Sequence, residues 1–328
     1  MNLKISGNIL KLLISLLILN TFVFASIVEI YRTNGIDAVK KELDRLIQTK
    51  KYWSGFLKDN DVRFGYYESI DSVLVCNKNN KDLVLYKKDK KSFKKAFNSS
   101  IFVGKANGDK QVEGDLKTPI GVYNLTKKLT KVDTFYGPLA LVTSYPNLYD
   151  KVKKKTGHGI WIHGLPIDEK RDDYTKGCVA LDNTKLETLS AQIDHKKSVL
   201  LLSQDETKNI TVDDISSIIS QVYSWKDAWQ TGDINKYLSF YDQEFRQVNG
   251  TNIRTFSQRK RRIFKSSGKK TINFTNINIS PYANTNGKAI FKVVMDEDYK
   301  ARSYKFVGEK ELYIELKSDG SMSILTEG

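Results

Sequence analysis

The stretch HGIWIHGLPIDEKRDDYTKGCVALDN, His158 to Asn183, holds two of the three histidines and one of the two cysteines in a chain of 328 residues. A thiol and an imidazole this near in sequence admit three readings: a nucleophile with its base, ligands of a metal, or a coincidence of composition. A free cysteine titrates near ~8.5 and is mostly protonated at neutral pH, so a reactive one needs a neighbouring base or cation. His163 meets that need. The run GIWI reads as a strand with Gly164 just after the histidine, which places the ring at a strand end on a fixed backbone. The charged segment LPIDEKRDDYTKG suits one wall of a substrate groove, and Gly177 lets the chain turn tightly before Cys178. The N–H groups of Gly177 and Cys178 are then candidates to face a developing oxyanion, an interaction valued at about 3–4 kcal/mol per donor.

The competing readings are weaker. His158, His163 and Cys178 are the right types for zinc, but no established ligand spacing fits, and a separation of five sets the two histidines on opposite phases of the strand. A papain-like protease places its cysteine well before its histidine, the reverse of this order. His158 remains a second site candidate, against the plainer account of a histidine with a local hydrogen bond. His195, in QIDHKKS, reads as a cation at a helix C-terminus or as a solvated side chain.

The wider chain sets the compartment. Lys4 and Lys11 flank a polar start, Leu12 to Phe24 is largely apolar, and Val23 and Ala25 are small residues ahead of Ser26. This is the three-part form of a secretory leader cleaved after Ala25, and its apolar run is shorter than the ~20 residues a spanning helix needs. The chain is then exported, to the periplasm. Its formal charge of +15 attracts polyanions, and export makes nucleic acid an unsuitable one while leaving acidic cell-wall material. Hydrophobic residues at 40% and aromatic ones at 11% exclude general disorder. Cys76 lies in SVLVCNKNNKDLVLY, which reads as a hairpin with a buried structural thiol. Cys178 follows a glycine in a polar loop, so the two are not expected to pair.

Texture divides the rest into an α+β, multidomain chain. Residues 26–68 form a helical region in which Ile36, Val39, Leu43, Leu46 and Ile47 share a face. That region is too small to stand alone, so it packs on the next domain or on a second copy as a homodimer, or serves as a spacer. Residues 69–203 show short alternating strands with one helix, TKLETLSAQI; 204–214 read as a polar linker; and 215–328 carry two helices split at Gly232-Asp233, then four strand-like runs. RTFSQRKRRIFKSSGKK, Arg254 to Lys270, reads as a solvated helix face or as an attractor of an anionic glycan. Trp225, Trp229, Tyr237, Tyr241 and Phe245 fall at helical spacing, which is core or the lining of a pocket.

His-Gly followed by Thr-Lys-Gly-Cys-Val-Ala-Leu resembles the catalytic domain of the YkuD-type L,D-transpeptidases of bacterial cell walls. GKANGDKQVEGDLKTPIGVYNLT, Gly104 to Thr126, resembles the second hallmark of that family, and the two motifs stand in the family's order. The resemblance implies Cys178 as nucleophile, His163 as base and then acid, the Gly164 carbonyl as the group orienting the imidazole, and Gly177 and Cys178 as the oxyanion hole. It implies no metal and no organic cofactor. Most of the family carries arginine two residues after the cysteine, where this chain has Ala180. A guanidinium grips a carboxylate with two bonds and alanine cannot. Trp161, Thr175, Lys176, Lys105 and His158 are the candidates to hold substrate instead. The domain layout is similar to the L,D-carboxypeptidases that trim stem tetrapeptides and govern cell shape, and SWKDAWQTGDINKYLSFY resembles the nuclear-transport-factor-like cone fold. A peptidoglycan tetrapeptide is the substrate so implied. A cross-linking transpeptidase and an idle wall-binding protein remain as alternatives.

Overall fold

The computed structural model describes residues 7–168, 172–206, 209–266 and 268–328, with side chains from residue 26 onward. The expected leader, 1–25, and the middle of the expected wall loop, 169–171, fall outside the described side chains. Among the described residues no helix is long and apolar enough to cross a membrane. The chain opens with α1 (Gly7–Leu46), broken at Gly35, then α2 (Lys50–Leu57) and β1 (Tyr66–Tyr67).

An eight-stranded sheet follows. Its elements are β2 (Ser72–Asn77), β3 (Asp82–Asp89), β4 (Ser92–Ser100), β5 (Gly121–Leu129), β6 (Ala140–Thr143), α3 (Leu148–Val152), β7 (Trp161–His163), β8 (Val179–Ala180), α4 (Asn183–Gln192) and β9 (Ser198–Ser203), in the order β4-β3-β2-β9-β5-β6-β7-β8. The hairpin expected around Cys76 is β2 with β3, and Cys76 is a buried, unpaired thiol whose titration burial pushes far up. SVLLLS shows no alternation because β9 is covered on both faces. Leu200 and Leu202 face a core shared with Leu74, Ile162 and Leu186; Val199 and Leu201 face Tyr282 and Tyr313 from the last part of the chain.

That last part is α5 (Val212–Thr231), α6 (Ile234–Ser239), α7 (Ile253–Ser266), β10 (Lys270–Tyr282), β11 (Ile290–Ala301), β12 (Lys305–Leu316) and β13 (Met322–Glu327), with sheet order β1-β10-β11-β12-β13. Three details differ from the expectation. Thr211 and Asp214 form a capping box, so α5 starts inside the stretch read as linker. The N-terminal region packs on the next domain, as one expectation had it, but on this last domain as well: Arg63 donates to Phe93 O at 2.9 Å and Phe64 packs on Tyr86, while Trp53, Leu57 and Val62 join the core of Ile218, Val222 and Trp225, and β1 pairs with β10. The five-residue helical face is not covered as a unit either, for Val39 is buried while Ile36 is 65% exposed and Leu43 47%.

Candidate active site

The parallel pair β7–β8 makes the site. Ile162 lies opposite Val179 and His163 opposite Ala180, so a separation of fifteen residues in sequence becomes adjacency of two strands. The Trp161 N–H donates to Cys178 Sγ at 3.4 Å, and the thiol donates to the Gly159 carbonyl at 3.4 Å. Cys178 and His163 line one cavity of 680 Å³. His163 is buried, while Cys178 is half-buried. The ring's Nδ1 lies 2.7 Å from the Gly164 oxygen. A carbonyl can only accept, so Nδ1 carries the proton and Nε2 keeps the lone pair. Tyr136 packs edge-on against the ring, with centroids 5.1 Å apart. The carbonyl that orients His163 is itself held: Gly164 N–H donates to Tyr136 O at 2.9 Å, and Leu165 N–H to Asn183 Oδ1 at 2.8 Å. A Cβ on Gly164 would come within 2.1 Å of that Asn183 oxygen, so any side chain there would push the Asn183 amide off Leu165.

The turn before the cysteine is built differently from the expectation. Thr175, expected at the substrate, is buried. Its hydroxyl donates to the Cys178 carbonyl at 2.7 Å and accepts the Gly177 N–H at 3.0 Å. The Gly177 hydrogen is therefore committed to Thr175 rather than aimed at an oxyanion. What Gly177 supplies is conformation: its φ is 136°, and a Cβ there would lie 2.9 Å from the Lys117 carbonyl.

Of the other expected residues, Lys176 and His158 line the cavity, and His158 Nδ1 stands 3.8 Å from a Glu113 carboxylate oxygen. Lys105 sits one layer back, its ammonium 4.8 Å from the centre of the Tyr174 ring that lines the cavity. Trp161 holds the sulfur through its backbone, and its ring packs on Tyr136. Ala180 is fully buried between Phe102 and His163. His195 opens a short 3-10 turn capped by Asp194 instead of closing a helix.

Sequence reasoning missed Tyr136, Lys110 and Glu113, all on the cavity wall. The signal for Lys110 and Glu113 was Asp115 in the motif GDKQVEGD. Its carboxylate accepts Lys110 Nζ at 2.8 Å and the amides of Gln111, Val112 and Lys117. Burial alone would raise the titration of Asp115, but these donors hold it well below the usual carboxylate range.

Residues 71–201 match the family model of the L,D-transpeptidase catalytic domain, and residues 217–328 that of the Cds6 C-terminal NTF2-like domain. The helical cell shape determining protein Pgp2 from Campylobacter jejuni is 39% identical, with a TM-score of 0.81 over 86% of this chain and 99% of that one. This chain belongs to the L,D-transpeptidase family. A lysine-to-alanine mutant of Pgp2 gives 38% identity and a TM-score of 0.82 over the same shares of both chains. Bd1075 from Bdellovibrio bacteriovorus gives 25% and 0.62, over 79% of this chain and 92% of that one. No curated protein matches.

This transpeptidase-family chain holds a second cavity, of 560 Å³, in its NTF2-like domain, lined among others by Trp229, Lys260, Glu297, Tyr299 and Lys310. Most of the aromatic set is core, for Trp225, Tyr237 and Phe245 are wholly buried, and only Trp229 of the five reaches the cavity. Lys260 corrects the reading of Arg254 to Lys270 as simply solvated. Its ammonium lies 5.0 Å from the Phe256 ring centre, 5.4 Å from that of Trp229, and 3.5 Å from Glu327. Burial pulls its titration down, opposed by Glu327. Glu327 is buried too, yet Lys310 and Lys260 hold it down to about 2.

Proposed function

We propose that the protein is an L,D-carboxypeptidase that removes the terminal D-alanine from peptidoglycan stem tetrapeptides through a thioester on Cys178. The observation that carries this reading is the shared cavity of Cys178 and His163, with the imidazole tautomer set by the Gly164 carbonyl. His163 Nε2 takes the thiol proton, and the thiolate attacks the carbonyl carbon that joins the L-centre of diaminopimelate to D-alanine. As the tetrahedral adduct collapses, the C–N bond breaks and His163 gives the proton to the departing amine. D-Alanine leaves and the tripeptide stays on sulfur. Water then gives its proton to the same imidazole and attacks the thioester, releasing a tripeptide carboxylate and restoring the thiol.

Buried Ala180 favours water over a second peptide as acceptor. Without the arginine grip, the lysines at the groove are Lys176, Lys110, whose charge is already paired with Asp115, and, a layer behind, Lys105, single-point partners that hold peptide carboxylates less firmly. Incubation with purified tetrapeptide muropeptides tests this directly. Tripeptide plus free D-alanine is the expected product. New cross-links would favour the transpeptidase reading, and binding without turnover would leave the NTF2-like domain as the active part.

The secretory leader expected over residues 1–25 supports action in the periplasm. The NTF2-like cavity, with Lys260 and Lys310 at its wall, supports an anionic glycan as its ligand. The exposed Val28, Tyr31, Ile36 and Leu43 of α1 support a homodimer through that helix, which sedimentation of the full chain would reveal.

A further inference from the structure

One wall of the groove comes from two segments: Lys110, Glu113, Gly114 and Leu116 belong to one, and residues 157–160 to the other. A buried ammonium stands at the root of both. Lys155 Nζ lies 2.7 Å from Asp109 Oδ2 and 2.8 Å from Asp150 Oδ1. Around it the segments are laced together. Thr156 N–H donates to Gln111 O at 2.9 Å, Glu113 N–H to Thr156 Oγ1 at 3.0 Å, and Ile120 N–H to Asp109 Oδ1 at 2.9 Å.

Asp150 is wholly buried, and two carboxylates face one ammonium. Such an excess of buried negative charge stays ionised only if neutral donors surround it. Tyr123 Oη donates to Asp150 Oδ2 at 3.0 Å, the Asn147 N–H to the same oxygen at 3.2 Å, and Tyr282 Oη to Oδ1 at 3.3 Å. Tyr282 is the last residue of β10, in the NTF2-like domain, and its own oxygen accepts Asn147 Nδ2 at 3.2 Å. Burial pushes the Asp150 carboxyl up, with Lys155 opposing. Burial also pulls on Lys155, but Asp150 and Asp109 outweigh it and raise its titration above the ordinary value. A hydroxyl from one domain thus completes the ion site that anchors the groove of the other.

We propose that Tyr282, Asp150, Lys155 and Asp109 form a positioning relay, through which the NTF2-like domain fixes the groove wall that orients the substrate peptide. The proposal rests on the reading of that groove as the tetrapeptide site. Tyr282 touches no reacting atom; it acts through Asp150 and Lys155.

The test compares Tyr282→Phe with Tyr313→Phe in the full chain. Tyr313 packs in the same domain interface, but its hydroxyl bonds Glu311 at 2.8 Å and lies outside the relay. In Tyr282→Phe, amide exchange across residues 109–116 and 156–160 rises, and KM for the tetrapeptide rises about 3- to 10-fold while kcat stays within about twofold. Alkylation of Cys178 by iodoacetamide keeps its rate, and Tyr313→Phe changes neither the exchange nor KM. If Tyr282→Phe lowers Tm but leaves wall exchange and KM unmoved, or if Tyr313→Phe matches it in both, the hydroxyl is mere packing and the relay is overturned. Should the natural chain release no D-alanine, the tetrapeptide reading fails by itself, and the exchange comparison alone still decides the relay.

Discussion

At the scale of single residues, the site is a thiol placed by its neighbours' hydrogen bonds. Thr175 makes two of them with one hydroxyl, so Thr175→Val keeps the volume and releases both the Gly177 amide and the Cys178 carbonyl. We expect kcat/KM to fall by about 10- to 100-fold, the range that small misplacements of a nucleophile produce, with Tm lowered only modestly. Steady-state kinetics on tetrapeptide, beside thermal melts, checks both halves. Gly177→Ala acts through sterics instead. Its positive φ and the Lys117 carbonyl at 2.9 Å make the variant strained by about 1–3 kcal/mol. That Cys178 and His163 share a cavity could be anticipated mainly from the resemblance of His-Gly and Thr-Lys-Gly-Cys to the family's motifs, since a thiol and an imidazole fifteen residues apart are a weak signal by themselves. The parts played by Thr175 and Gly177 could not. Whether a hydroxyl meets a substrate or a neighbouring amide depends on where the turn points it, and residue type does not encode that.

At the scale of elements, the legible features were those with a repeat long enough to show. The β2–β3 hairpin announces itself by two apolar runs around an Asn/Lys turn, and α5 and α6 by the Gly232 break, where φ is 86°. β7 was legible as the apolar run GIWI before His163, but β1 and β8 have two residues each, too short for any pattern to register. The second attachment of the N-terminal region, to the last domain, was not legible for that reason, since it runs through β1 and α2. Trp53 is the anchor there. It stacks on Tyr223 of α5 at 5.6 Å, and its indole N–H donates to Ile47 O at 2.7 Å. Trp53→Ala should cost about 3–5 kcal/mol, read as a lower midpoint in denaturant melts of the full chain. An unchanged midpoint would mean that α2 adds nothing to the fold.

At the scale of the whole molecule, the two sheets share a core in which Val73, Val122 and Val199 of the catalytic domain meet Tyr282, Ile290 and Tyr313 of the NTF2-like domain. The buried carboxylate paired with Lys260 and Lys310, two lysines of the second cavity, brings its own dependence on pH. Glu327 titrates at about 2 in the folded chain, below the ordinary glutamate value of 4.5. A depressed carboxylate contributes stability that is complete above the unfolded value and is lost as pH falls from there toward 2. Glu327→Gln should therefore be less stable than the natural chain at pH 6 and lose less Tm between pH 6 and pH 3. Parallel acid losses in both chains would show that this carboxylate adds no such stability. The domain layout was visible in the changing texture of the sequence. The interface was not, because the outward face of β9 looks like any other buried run until the partner covering it is known.

The central claim is a covalent one, so intact-mass analysis of the protein mixed briefly with tetrapeptide and quenched in acid tests it most directly. The account predicts an adduct equal to the tripeptide acyl group, mapped by digestion to Cys178, with one D-alanine freed for each adduct formed and neither seen in Cys178→Ala. Release of D-alanine by Cys178→Ala at the natural rate would contradict it.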